Sequence, residues 1–128
     1  MTVAQSARPA SNSITVTLKR LIALLEEDDT DEHGILQPSP AAFKSAMQFV
    51  VEAYDAMGDN FPKASASTDE EGGIRLTWSK PASDCEVRLI CPAQIDKTAY
   101  LYHELGSAYA VERELFELTQ WLEWFNQA

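Results

Sequence analysis

The chain is predicted to fold as an α+β domain of two layers, with helices on one face of a three- or four-stranded antiparallel meander sheet. Two patterns carry this expectation. From Gly72 to Leu105 apolar residues recur at every second position, as half-buried strands require, and on either side Pro40 to Met57 and Ala108 to Gln127 repeat them at helical spacing. A chain of 128 residues with 45% hydrophobic content supports one core and not two. Residues 1–12, with Pro9 among small polar residues, are expected to form a flexible arm, leaving residues 13–128 as the single domain.

Ile14, Leu18, Leu21, Ile22 and Leu25 recur as an amphipathic helix would place them, with Ser13 available as the cap. The β-branched run from Ile14 to Thr17 leaves the first turn open between helix and extended chain. Glu26, Glu27, Asp28 and Asp29 then set negative charge where the helix dipole favours positive, so this end should fray. The segment from Asp29 to Gly34 imitates the start of a calcium loop. Its closing bidentate Glu is replaced by Pro40, so a solvated acidic loop is expected and no metal is assigned.

The Ser39 cap and Pro40 open the clearest helix, and Gly58 follows its end. Phe43, Ala46, Met47, Val50, Tyr54 and Met57 form its apolar stripe. After a turn at Asp59 to Pro62, Ala64, Ala66 and Thr68 alternate with serines as a short first strand. A hairpin through Asp69 to Gly73 leads to Ile74, Leu76 and Trp78 facing inward and Arg75, Thr77 and Ser79 facing out. A turn from Lys80 to Ser83 precedes the next strand, where Cys85, Val87, Leu89 and Cys91 face inward. Two registers keep that parity, one pairing Arg75 with Arg88 and the other Arg75 with Glu86.

Cys85 and Cys91 lie about 20 Å apart along one strand, beyond the reach of a disulfide, and are expected as buried hydrophobes. The last strand runs from Thr98 to His103 with either parity open. If Tyr100 and Tyr102 join Arg75 and Arg88, the outer face becomes an aromatic and cationic platform of the kind that stacks single-stranded bases. His103 lacks a catalytic constellation, since Ser107 and Glu104 alone do not supply one. In the final helix Val111, Leu115, Leu118, Leu122 and Phe125 share a seam; Trp121 and Trp124 exceed what that seam needs.

A formal charge of -10 repels nucleic-acid backbones and anionic membranes and attracts basic partners. No run approaches the roughly 18 apolar residues of a membrane span. The polar opening residues lack a secretory signal's apolar stretch, so a cytoplasmic location is expected.

The sequence Asp31-x-x-Gly34-x-x-x-Pro38-Ser39 before the long helix, followed by Gly72-Gly73-Ile74-x-Leu76-x-Trp78, resembles a group of small uncharacterised bacterial proteins. Their motifs read Trp-Asp-Gly-x-Gly and Gly-Gly-(Ile/Val)-x-Leu-x-Trp. Thr30 and Glu32 stand where that family carries its Trp and first Gly. Some members adjoin toxin-like genes, which implies an antitoxin-like or other partner-binding role over about Leu18 to Phe125.

The leading expectation is therefore a non-enzymatic protein that binds another, basic protein, with no cofactor. Arg75, Thr77, Arg88, Trp121 and Trp124 are its candidate contacts. The alternatives are a ligand-binding or enzymatic cleft between the acidic loop and the sheet, and single-stranded nucleic acid on the outer sheet face. A homo-oligomer is compatible with the first reading.

Overall fold

Alternation along the second half of the chain produces five strands rather than three or four. The computed structural model describes residues 11–26 and 37–128. Helix α1 (Ser11–Leu24) and helix α2 (Pro40–Met57) come first. Strands β1 (Ser65–Thr68), β2 (Ile74–Lys80), β3 (Cys85–Cys91), β4 (Tyr100–Leu105) and β5 (Ala108–Glu112) follow, and after them comes helix α3 (Leu118–Gln127). The sheet is an antiparallel meander in the order β1-β2-β3-β4-β5.

The three α-helices among the described residues cover one face of the sheet. Ile74, Leu76, Trp78, Val87, Leu89, Cys91 and Leu101 project from the strands into a core closed by Leu21, Ala42, Ala46, Val50, Ala53, Leu118, Leu122 and Phe125. The buried line of α2 includes Ala42 and Ala53, while Phe43, Met47 and Tyr54 pack at its margins. Small residues therefore sit on its innermost line. Trp78 is wholly buried, and its indole N–H donates to the Pro62 carbonyl at 2.9 Å.

The ends of α2 follow from its sequence. Ser39 Oγ accepts from the Ala42 N–H at 3.0 Å and donates to the Ala93 carbonyl at 2.8 Å, tying the cap to the segment after β3. Gly58, at φ 59°, returns its N–H to Tyr54.

Helix α1 begins at Ser11, so the end of the expected arm, Ser11 and Asn12, is helical, Ser13 lies inside the helix rather than capping it, and the run from Ile14 to Thr17 is helix. It buries Thr17 and Leu21, with Ile14, Leu18 and Leu24 partly buried, whereas Ile22 and Leu25 are exposed. Thr17 Oγ1 donates to the Ser13 carbonyl at 2.8 Å and accepts from the Ala64 N–H at 3.0 Å. Arg20 Nη1 donates to the Ala64 carbonyl at 2.8 Å. One residue leading into β1 is thus held by both its backbone groups.

The β2–β3 register differs from both expected pairings. Trp78 faces Val87, Thr77 faces Arg88 and Arg75 faces Ile90. The connection is confined to Pro81 through Asp84, where Asp84 takes a left-handed conformation at φ 56°. Lys80 can therefore pair with Cys85, and the register slides opposite to the slip that would have joined Arg75 to Glu86.

The largest correction concerns Ala108 to Gln127, expected as one helix. Its first part is β5, and only Leu118–Gln127 is helical. Gly106, at φ 64°, forms with Ser107 a two-residue turn that sends the chain back along β4. Val111 and Leu115, assigned to the helical seam, are exposed.

Candidate functional site

The five expected partner contacts fall in two places on opposite faces of the sheet. Arg75, Thr77 and Arg88 lie on the face without helices. Trp121 and Trp124, from α3, pack on the helix-bearing face against His103 of β4.

Strand parity builds the outer surface. Leu101 points into the core, so Tyr100 and Tyr102 share the outer face with Arg75, Thr77 and Arg88. Tyr109 and Val111 of β5 extend it. The Arg88 guanidinium lies 5.1 Å from the Tyr102 ring centre and that of Arg113 lies 4.3 Å from Tyr100. Arg88 also forms an ion pair with Glu86, and the Tyr102 hydroxyl donates to Glu104. That hydrogen bond to the carboxylate raises the Tyr102 pKa above its usual value. The arginine and tyrosine that would bind a polyanion are thus already engaged with carboxylates.

The second place is a groove at the far edge of the sheet. Its floor is Ala108 and Ala110 of β5, its walls include Trp121, Trp124 and Leu105, and its volume is about 380 Å³. His103 stacks on Trp121 with ring centres 3.8 Å apart and meets Trp124 edge-on at 5.6 Å. Its Nε2 lies 3.0 Å from Glu112 Oε2, a link across the β4–β5 ladder. Ala108 and Ala110, the small inward residues of β5, leave the groove open, while Tyr109 borders it and the inward Glu112 is taken up by His103. Tyr109 is 70% exposed.

The carboxylate that orients the His103 ring is thus Glu112 rather than Glu104. The ring is held by Glu112 and by two indoles, an arrangement that fixes the β4–β5–α3 corner. Sequence reasoning missed Glu112, Tyr109, Ala108 and Ala110 because it read β5 as helix. Gly106-Ser107 between Leu105 and Ala108 was the available signal, since Gly-Ser is a two-residue hairpin turn.

Cys85 and Cys91 are free and buried. Burial pushes the Cys91 thiol up to about 11, against a smaller opposing effect of its hydrogen bond with Ser45. Both cysteines belong to the core. Among the described residues no group of three or more His, Cys, Asp or Glu could hold a metal. The calcium-like segment from Asp29 to Gly34 lies outside the described residues, as do the rest of the acidic loop expected from Asp28 to Gln37, apart from Gln37 itself, and the expected arm up to Ala10. Among the described helices none is long and apolar enough to cross a membrane.

No protein-family model matches the chain, and searches of curated proteins and of solved structures found no match to it.

Proposed function

We propose that this chain is a non-enzymatic protein-binding module, antitoxin-like or adaptor-like in kind, that receives a basic protein partner along β5. One observation carries the reading. Ala108, Tyr109, Ala110 and Val111 are all exposed on an edge strand that borders an indole-walled groove. Exposed strand edges are normally blunted by Lys, Pro or a bulge, and β5 has no Lys or Pro. The net charge of -10 favours a basic partner. A reducing cytoplasm suits the two free thiols.

The test is affinity capture from native cells with the full chain and with a Tyr109→Lys/Val111→Lys variant, which sets like charge against a basic strand. The reading expects one protein recovered stoichiometrically with the wild type, released by salt and lost with the variant. Recovery of the same proteins by both would sink it.

The second reading, single-stranded nucleic acid on the outer face, is favoured by Tyr100 lying beside Arg113. It expects a gel shift of single-stranded oligonucleotides at low salt that Tyr100→Ala abolishes.

A further inference from the structure

We infer that the occupant of the β5 edge is an extended peptide bearing lysine or arginine, which adds a sixth strand and buries an apolar side chain against Trp121 and Trp124. This rests on the partner-binding reading above and assigns the partner's chemistry. Ladder geometry supplies the backbone part. In a two-residue hairpin the closing pair, Leu105 and Ala108, is hydrogen-bonded, so Ala108, Ala110 and Glu112 spend their N–H and C=O groups on β4. Tyr109 and Val111 direct theirs outward, toward a strand that would lie beside them.

Side-chain parity supplies the second part. A residue placed opposite Ala110 projects to the same face as Ala110, over the groove of about 380 Å³ lined by Trp121, Trp124 and His103. That space suits an aromatic or branched aliphatic group. The neighbouring residues project outward, beside Tyr109 and Val111.

Charge selects among apolar strands. Between Glu104 and Glu117 the chain carries Glu104, Glu112, Glu114 and Glu117 against Arg113 alone, so this stretch is acidic even with Glu104 accepting from Tyr102, Glu112 set against His103 and Arg113 stacked on Tyr100. A strand with basic residues alternating with apolar ones complements this edge. A second copy of the chain fits it less well. It would bring alanines to the groove, leaving the indoles uncovered, and would set one net charge of -10 against another. The opposite edge is engaged differently, since α1 holds Ala64 at the entry to β1 through Thr17 and Arg20.

The decisive experiment measures fluorescence anisotropy of a labelled, capped heptapeptide, Lys-Val-Lys-Trp-Lys-Val-Lys, titrated with the full chain. Binding should weaken with salt and vanish when the lysines are replaced by glutamates. With the peptide antiparallel to β5, as every neighbouring pair in the sheet is, N-methylation of the two lysine amides flanking the tryptophan should weaken binding at least about tenfold, since those amides would bond Tyr109 and Val111, whereas methylating the tryptophan amide should change little. Equal loss from both methylations, or equal binding of the glutamate peptide, overturns the proposal. So does a dimer in sedimentation that Ala110→Glu dissociates, which would make a second copy the occupant. If no peptide binds while capture of a cellular protein still depends on Tyr109 and Val111, the basic-strand proposal falls and the partner-binding reading stands.

Discussion

Thr17 shows how much one side chain can decide. It is the one buried polar residue among those described, and it lies on α1 between the Ser13 carbonyl and the Ala64 N–H. Its Oγ1 serves both, donating to the first and accepting from the second. Valine has nearly the same shape and neither capacity. Thr17→Val should therefore strand the Ala64 N–H in the interior and lower unfolding free energy by about 1–3 kcal/mol, the usual cost of orphaning a buried donor. Thr17→Ser keeps the hydroxyl and should recover most of that loss. Urea denaturation of the three proteins checks this, and equal midpoints for valine and wild type would show the contact to be dispensable. The sequence marked Thr17 only as β-branched, a property that weakens a helix. Its role depends on Ala64, far along the chain, and no local pattern encodes that.

The elements differ in how openly their sequences declare them. Helix α2 was legible at both ends because Ser39, Pro40 and Gly58 each act within one turn of the backbone. Strands β2 and β3 were legible because a single buried face imposes a period of two. Their register was not, since it depends on how tightly Pro81 to Asp84 closes. Strand β5 was misread because Val111 and Leu115 happen to continue the spacing of Leu118, Leu122 and Phe125. The groove was therefore legible only in its indoles. Trp121 and Trp124 stood out as surplus aromatics, but His103, Glu112 and Ala110 become a site only when three elements converge. Helix α3 is short and has no side-chain cap at its start, so its far end matters more. There Lys80 Nζ donates to the carbonyls of Phe125 at 2.8 Å and Asn126 at 3.1 Å, and sits 4.9 Å from the Phe125 ring centre. Lys80→Met preserves the aliphatic stem and removes these bonds. It should cost about 1 kcal/mol, as expected for a cation at a helix C-terminus, and speed amide exchange in the last turn of α3 before that of α2. Uniform acceleration across the domain would point to general loosening instead.

At the scale of the whole molecule, charge and shape oppose each other. The helices satisfy one face of the sheet, while the edge at β5 and nearby Leu105, Tyr109, Val111 and Leu115 stay exposed. Such an edge invites pairing between copies. A net charge of -10 at neutral pH resists it, and that resistance fades toward the sequence pI of about 4.5. Light scattering should therefore stay flat near pH 7 and rise on approach to pH 4.5, because protonated carboxylates no longer hold copies apart. Salt at pH 7 screens the same repulsion and should raise scattering modestly. The edge itself is tested by Val111→Lys, which places a charge on β5, beside Gln48→Lys, which makes the same change in net charge on the exposed side of α2. If β5 is where copies meet, the first variant remains clear under conditions in which the second and the wild type scatter. Equal scattering by both lysine variants would show that net charge alone governs association. The bare edge would then stay accessible throughout that pH range, with no tendency of its own to pair.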